Sequence, residues 1–351
     1  MGRLRRELEA EAVAASTSME GVPVTVREAV RVLAGDRPTG VSPVDAGLVL
    51  GYRDAMGYVL RRADDPAFTW HPELMLAIHD RAMGMQRSAL PGRFRDRPVW
   101  VADGQGAVIF EPPSAQAVPD LVADTCDFAQ AAALPAPVLA ALMHAAMAAI
   151  HPFVDGNGRV SRIVASLAMY RGGYRLAEFT SLEEWWGSHR RDYYASFRAL
   201  GDHWDPNADV TRFVEAHVHA QRLQAEALKL RQATEREIWI ALESIATEEL
   251  GMAPRAAEAM YDAFFGRTIT NRYYRSVADV SVTTAGADLG RLVASALIAS
   301  QGKGRSRTYT GTFALLARVA SATGSFVVAA DATMDQQRAE VLQGIAGRSW
   351  R

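Results

Sequence analysis

The chain contains 351 residues, of which 49% are hydrophobic and 22% are charged, and its formal net charge is −2. This length is enough for two or three domains that each bury a core, and the near-neutral charge excludes an electrostatic attraction of the whole chain to nucleic acid. The single cysteine, Cys126, excludes an internal disulfide and a metal site built from several cysteines, which is typical of proteins of the reducing cytoplasm.

The first part of the chain shows mainly helical periodicity. Its start, MGRLRRELEAEA, is charged and helix-forming, which predicts a helix rather than a secretory signal. Apolar residues then recur at spacings of three and four, and prolines stand at two helix starts. The predicted helices of this part are Arg3–Ala15, Val26–Leu33, Pro43–Arg62 and Glu73–Gly84.

The pattern changes between Gly92 and Pro113. The sequence PVWVADGQGAVIF contains two β-rich runs, Val99–Val101 and Val108–Phe110, around an Asp-Gly-Gln-Gly turn. Such runs on both sides of a glycine-containing turn predict a β-hairpin.

Helical spacing resumes after the hairpin. Ala129–Ile150 lacks formal charge, but two prolines break it and leave a run too short to cross a bilayer. We therefore expect a mainly α, soluble protein of the cytoplasm with no membrane contact. The predicted helices here are Val118–Ala131, Val138–Ile150, Gly158–Gly172, Leu182–Leu200, Asp209–Leu230, Arg255–Phe265 and Val282–Ile298, followed by a basic β-wing at Gly302–Thr310 and a loose tail after Ala332.

The segment His151–Arg162, HPFVDGNGRVSR, concentrates residue types that handle phosphate. Gly156, Asn157 and Gly158 favour a tight turn with exposed N–H groups directly before a helix, and a helix N-terminus attracts anions. Arg159 and Arg162 lie three residues apart on that helix, and guanidinium groups suit phosphate oxygens.

Two further residues complete the set. Asp155 offers the hard oxygen ligands that Mg²⁺ prefers, and His151 can accept a proton near neutral pH. Phe153 has no polar role and is expected to anchor the loop in the core. Each residue alone also fits a structural role, but their joint spacing predicts phosphoryl or nucleotidyl transfer.

This segment resembles the signature of the Fic family, HPFx(D/E)GNGRxxR, at every fixed position. The resemblance implies a protein adenylyltransferase that moves AMP from ATP to a hydroxyl of a target protein. In that reading the general base is His151 and the Mg²⁺ ligand is Asp155. The nucleotide phosphates are then held by Gly156, Asn157, Gly158, Arg159 and Arg162.

The family also assigns roles outside the signature. The hairpin resembles the family's flap, which docks an extended target segment; the flap residues are Val99, Trp100, Val101, Val108 and Ile109. Asp192–Leu200 resembles a stretch that often follows the signature, where Tyr193 or Tyr194 either borders the adenine or packs in the core.

The N-terminal sequence STSMEG, residues 16–21, is similar to the family's inhibitory motif, (S/T)xxxE(G/N). By this resemblance Glu20 pairs with Arg162 and withholds it from the γ-phosphate, with Ser16 as the first residue of the motif. A helix cap at Ser16 or Ser18 is the structural alternative. The expected enzyme is therefore autoinhibited.

The resemblance gives the chain its expected organisation. We predict an N-terminal inhibitory segment at 1–35, a Fic-type helical bundle with the flap at 36–230, a helical or winged-helix-like domain at 231–335 and a tail at 336–351. In the third region Lys303, Arg305 and Arg307 alternate as in the basic strand of a wing, and a solvated loop is the equal alternative.

Several alternatives stay open at this stage. The same site could remove AMP from a modified protein, with Glu20 positioning a water, or act in both directions. A non-enzymatic reading is a regulator that binds DNA through the C-terminal region. Self-modification and a homodimer are likewise open, and the sequence does not identify the target protein.

Overall fold

The computed structural model describes residues 2–22, 24–174, 182–325 and 331–349. The chain divides into two compact units, Met1–Ala225 and Glu226–Arg351, and this division falls inside one long helix, Thr211–Ser244. The described part is mainly helical, as the sequence predicted.

The first unit is built around two neighbouring helices, α6 and α7. Its helices are α1 (Gly2–Met19), α2 (Val26–Leu33), α3 (Pro43–Ala63), α4 (Pro72–Met83), α5 (Val118–Ala131), α6 (Ala136–Ile150), α7 (Asn157–Arg171), α8 (Glu183–Ser188) and α9 (Arg190–Ser196), followed by the start of α10 (Thr211–Ser244). Helix α7 is buried on all sides from Arg159 to Tyr170, as expected for a helix at the centre of a bundle. Helices α3, α4 and α6 pack against it.

The predicted hairpin is present but shorter than expected. Strands β1 (Val101–Ala102) and β2 (Val108–Phe110) pair antiparallel, with an irregular register between the two pairs. Val99 and Trp100 lie before β1, so the first predicted strand is wrong by two residues. Pro98, directly before them, has no N–H to donate to a ladder.

In its described residues, the second unit contains five further α-helices and a three-stranded antiparallel sheet. The helices are α11 (Ala256–Phe264), α12 (Asn271–Ala278), α13 (Val282–Ala294), α14 (Phe313–Ala322) and α15 (Met334–Ser349), and the strands are β3 (Ile269–Thr270), β4 (Ile298–Gln301) and β5 (Thr308–Gly311). The sheet order is β3-β5-β4. Helix α11, strand β3, two helices and a β-hairpin thus follow one another along the chain.

Three sequence predictions are corrected by these bounds. The single helix predicted over Leu182–Leu200 is interrupted at His189, whose φ of −121° and ψ of 42° are not helical. The helix predicted over Val282–Ile298 ends at Ala294, and Ile298 begins β4. The loose tail predicted after Ala332 is instead helix α15, because Val341 and Ile345, four residues apart, are buried in the core of the second unit.

Candidate active site

The signature segment forms the loop between α6 and α7 and the first turns of α7. His151 ends α6 with a φ of 51°, a left-handed conformation that a non-glycine residue rarely adopts. Gly156 begins α7 with a φ of 81°, and a Cβ atom there would lie 2.7 Å from the Met83 side chain. The turn therefore requires glycine at this position, as the sequence predicted.

The imidazole of His151 has one nitrogen committed to the backbone. Its Nδ1 lies 3.1 Å from the Ala148 carbonyl oxygen, which can only accept, so Nδ1 carries the proton and Nε2 is left with its lone pair. Burial lowers the pKa of His151 below its ordinary value. A neutral imidazole with an available Nε2 is the form that a general base needs.

Arg95 holds the strained backbone beside this imidazole, and sequence reasoning missed it. Its side chain is buried, with Nε donating to the His151 carbonyl oxygen at 2.8 Å and Nη2 donating to that of Pro113 at 2.6 Å. The Arg95 backbone N–H donates to Pro152 O at 2.9 Å. Arg95 thereby ties the segments on both sides of the hairpin to the loop that contains His151.

Asn157 has a structural task in this loop. Its side chain is 4% exposed; Oδ1 accepts from the Phe153 N–H at 2.8 Å and Nδ2 donates to the Phe153 carbonyl at 2.9 Å. The amide group is thus used within the loop, and only the backbone N–H is left for an anion. Phe153 is fully buried and stacks on His79 with ring centroids 3.8 Å apart, so the predicted anchor is confirmed.

His79 is a second residue that the sequence did not reveal. Its Nε2 lies 3.0 Å from the Asp155 carbonyl oxygen, and its Nδ1 accepts from the Gly92 N–H at 3.1 Å. Burial lowers the pKa of His79 to about 4, so this ring is neutral and fixes the loop through two directed bonds.

The carboxylate of Asp155 is exposed at the mouth of the loop. Its Oδ1 accepts from the Gly156 N–H and its Oδ2 accepts from Gln86 Nε2, both at 2.6 Å. Among the described residues no group of three or more His, Cys, Asp or Glu could hold a metal ion. One carboxylate together with phosphate oxygens and water is nevertheless how Mg²⁺ usually binds, so Asp155 fits a Mg²⁺ that arrives with a nucleotide.

Arg159 is a buried cation with little to neutralise it. It is 3% exposed, and its Nη1 donates to the Met83 sulfur at 3.0 Å, while Nε has no hydrogen-bond partner in the described part of the chain. Burial lowers its pKa, and the nearby carboxylates of Glu20 and Asp155 offset this only in part. A phosphate oxygen would supply an acceptor for Nε and a further counter-charge. Helix α7 also begins without a side-chain cap, which leaves its first N–H groups for an anion.

Arg162 is equally buried but well partnered. Nη2 donates to Glu20 Oε1 at 2.9 Å and to Ser16 Oγ at 3.2 Å, and Nη1 donates to Tyr193 Oη at 3.2 Å. Glu20 follows the last residue of α1, and its side chain is 23% exposed. A Cβ atom on Gly158 would lie 2.4 Å from Glu20 Oε1, so this glycine makes room for the carboxylate. The structure thus brings the two ends of the predicted pair together.

The end of α1 is held by two more contacts. Arg190 Nη2 donates to Ser18 Oγ at 2.6 Å, and Tyr194 Oη donates to the Met19 carbonyl at 3.1 Å. Tyr193 is 3% exposed and contacts Arg162, and Tyr194 contacts Met19 at the end of α1. These contacts depend on tertiary packing and have no signal in the sequence.

The flap residues are mostly exposed. Trp100, Val108 and Ile109 are 52–59% exposed, which is unusual for large apolar side chains on one hairpin. A cavity of about 430 Å³ next to Trp100 is also lined by Trp204 and several prolines. The hairpin therefore offers an apolar surface next to the loop that carries His151.

Residues 69–169 match the model of the Fic/DOC family, and they include the whole signature segment. This region of the chain is therefore similar to the Fic/DOC family domain. A curated relative, protein adenylyltransferase fic-1 of Caenorhabditis briggsae, is 31% identical over 133 residues. These residues are 36% of this chain and 24% of the relative. The chain thus spans about a quarter of the length of the curated relatives it matches.

Solved structures show the same Fic fold. A Fic family protein from Desulfovibrio desulfuricans G20 superimposes with a TM-score of 0.59 at 22% identity, covering 89% of both chains. A Fic domain containing signaling protein from Bacteroides thetaiotaomicron gives a TM-score of 0.55 at 21% identity over 65% of this chain and 89% of that one. Within the described residues, no helix is both long and apolar enough to span a membrane.

Proposed function

We propose that this protein is an autoinhibited adenylyltransferase that transfers AMP from ATP to a Ser, Thr or Tyr hydroxyl of a target protein or of itself. One observation carries the proposal: the same loop and helix start contain a His151 imidazole whose Nε2 is available and a buried Arg159 guanidinium with few partners. Both lie at the uncapped start of α7 or directly before it. The names of the curated relatives support the same activity.

The reaction follows from these groups. The target hydroxyl oxygen attacks the α-phosphorus of ATP, its proton passes to His151 Nε2, and the bond to the β-phosphate oxygen breaks to release pyrophosphate. Arg159, Arg162 and the first N–H groups of α7 hold the β- and γ-phosphates and stabilise the charge that develops on them. A Mg²⁺ ion at Asp155 would neutralise part of the phosphate charge.

The flap is suited to present the hydroxyl. β1 has a free edge in the two-stranded sheet β1-β2, which an extended segment of a target can join by strand addition. Arg95 supports this role because it fixes the base of the hairpin to the His151 loop, so a segment bound along the flap lies at a constant distance from the base.

Inhibition rests on competition for one guanidinium. Glu20 occupies Nη2 of Arg162 with a charge-assisted hydrogen bond, and a γ-phosphate needs the same donor. While Glu20 is bound, ATP lacks one of its two arginine contacts and binds in a pose that does not react. The reverse reaction, in which Glu20 orients a water towards an AMP-modified hydroxyl, would use the same contact.

Mass spectrometry of a cell lysate tests the proposal. Lysate incubated with ATP and the Glu20→Gly protein should contain peptides that carry AMP on a hydroxyl side chain, and the Glu20→Gly/His151→Ala protein should give none. Loss of AMP from such peptides on addition of wild-type protein would identify the reverse activity. If the Glu20→Gly protein binds ATP normally but no peptide in the lysate carries AMP, the proposal is overturned.

The second unit supports a second candidate function, binding of duplex DNA. A helix, a strand, two helices and a β-hairpin in this order are the arrangement of a winged helix, with α13 as the recognition helix and β4-β5 as the wing. The wing tip carries Lys303 and Arg307, both exposed. An electrophoretic shift of a DNA duplex by the full chain that weakens with salt, and weakens further in Lys303→Ala/Arg307→Ala, would support it; a shift unchanged by that variant would not.

A further inference from the structure

A group of buried polar side chains lies next to Arg162. Arg162 Nη1 donates to Tyr193 Oη, and Tyr193 Oη lies 3.3 Å from His144 Nε2. His144 and Tyr193 are 1% and 3% exposed. The hydroxyl oxygen accepts from Arg162, and its own proton can be donated to His144 Nε2. In that arrangement His144 Nε2 accepts, and the ring proton sits on Nδ1.

His144 is neutral near pH 7 in this setting. Burial lowers its pKa well below the ordinary value, and the neighbouring His217 and Arg162 lower it further. Its Nδ1–H has no hydrogen-bond partner in the described part of the chain. A buried donor without an acceptor costs about 1–3 kcal/mol, so some acceptor is expected there.

The same region contains other buried polar atoms that have no hydrogen-bond partner among the described residues. His217 Nδ1 lies 3.3 Å from Gln221 Nε2, which donates to it, and burial lowers the pKa of His217 to about 3. The described residues offer no partner to Arg162 Nε, His217 Nε2 or Gln221 Oε1. Three N–H donors and one carbonyl acceptor thus belong to side chains around one point.

A small cavity lies at that point. Its polar lining comes from His144, Arg162, Ser166, Glu183, His217 and Gln221, and its volume is about 10 Å³. A buried water needs roughly 10–15 Å³ and two to four polar partners. The lining offers both hydrogen-bond donors and an acceptor, so one water fits the cavity in size and in chemistry.

We propose that this cavity binds one ordered water and that the water, together with the Tyr193 hydroxyl, positions the Arg162 guanidinium for the nucleotide whether or not Glu20 is bound. The water accepts from two of the three side-chain donors around it and donates to Gln221 Oε1. Its role towards the nucleotide rests on the proposed function; its presence does not.

The charge on Arg162 is likewise independent of Glu20. Burial alone would lower the pKa of Arg162. The net direction is upward because of Tyr193, Glu20 and Glu183, and two of these three remain when Glu20 departs. The hydrogen bond from Arg162 Nη1 to Tyr193 Oη does not involve Glu20, so this contact keeps the guanidinium in place when the Glu20 carboxylate moves away.

The protein without nucleotide tests the cavity itself. In NMR spectra that resolve the two ring nitrogens, His144 should carry its proton on Nδ1, the rarer neutral form, at neutral pH. A crystal structure that resolves ordered waters should show one within hydrogen-bond distance of Arg162 Nε or His144 Nδ1. A proton on His144 Nε2, or a cavity without water density, would overturn the inference.

ATP affinity tests the positioning role. In the Glu20→Gly background Tyr193→Phe removes one charge-assisted hydrogen bond from Arg162 and should weaken ATP binding about 10-fold in calorimetry while leaving adenosine affinity unchanged. Tyr274→Phe is the matched control, since Tyr274 is a buried tyrosine of the second unit that donates to Asp288. Equal ATP affinity in both variants would refute the positioning role.

The two proposals can fail separately. If the Glu20→Gly protein never transfers AMP, but Tyr193→Phe weakens ATP binding and the water is found, the adenylyl-transfer proposal fails and this inference stands. If AMP transfer proceeds normally and Tyr193→Phe leaves ATP affinity and the KM for ATP unchanged, this inference fails alone.

Discussion

Replacing Glu20 by glutamine keeps the size of the side chain and removes its charge. The contact at stake is the 2.9 Å hydrogen bond to Arg162 Nη2, with Arg162 3% and Glu20 23% exposed. A hydrogen bond to a charged group contributes about 1.5–3 kcal/mol and a neutral one about 0.5–1.5 kcal/mol. Glu20→Gln should therefore lose about 1–1.5 kcal/mol of the inhibitory contact, and Glu20→Gly should lose all of it.

These energies convert directly into activity. Since about 1.4 kcal/mol corresponds to a factor of ten, we expect Glu20→Gln to raise the rate of AMP transfer about 10-fold and Glu20→Gly about 10- to 100-fold. The helix itself stays in place, because Glu20 follows the last residue of α1 and Ser18 and Met19 keep their contacts with Arg190 and Tyr194.

The assay measures transfer from ATP labelled on its α-phosphate, with ATP affinity measured by calorimetry on the same samples. Glu9→Gln is the matched control, because it removes the same charge from an exposed position of α1. Equal rates for wild type, Glu20→Gln and Glu20→Gly, or an equal increase in Glu9→Gln, would refute the competition of Glu20 with the nucleotide.

Three further predictions concern the loop and the buried histidines. Arg95→Ala should lower the free energy of unfolding by about 2–4 kcal/mol and reduce transfer, because carbonyls of His151 and Pro113 lose a buried cationic donor; chemical denaturation measures this, and the exposed Arg93→Ala should change little. Gly156→Ala should destabilise by more than Gly173→Ala, since both have positive φ but only the first places a Cβ 2.7 Å from Met83, and equal thermal shifts would contradict this reading. His217, with a folded pKa of about 3, contributes stability that is complete above pH 6.5 and is lost as the pH falls towards 3, because the unfolded chain takes up the proton first. The free energy of unfolding falls by about 1.4 kcal/mol per pH unit. His217→Gln should flatten this slope, whereas His219→Gln, at an exposed position of the same helix, should not. A wild-type free energy of unfolding that is independent of pH over this range would contradict the assignment.

The sequence predicted those parts of the site that lie within one short segment. The turn at Gly156, the apolar anchor Phe153 and the start of α7 are local features. Their residue types are sufficient to predict them. Asn157 shows the limit of this reasoning: its neighbours indicated an anion-binding turn, while its amide bonds to Phe153. Nothing in the residue type distinguishes these two uses.

Residues that act across the fold escaped prediction for a different reason. Arg95 and His79 support the loop from 56 and 76 positions away, and their partners are backbone carbonyls or N–H groups, which every residue has. Strand β3 was missed because two residues are too few to show a period. Glu20 was found only because its surroundings resemble a known motif.

The most direct measurement compares two labels on ATP in the Glu20→Gly protein. Label on the α-phosphate should become covalently attached to protein, label on the γ-phosphate should leave with pyrophosphate, and His151→Ala should abolish attachment in the same background. Attachment of the γ-label would show phosphate transfer instead. Attachment of the α-label at an equal rate without His151 would contradict its role as the base.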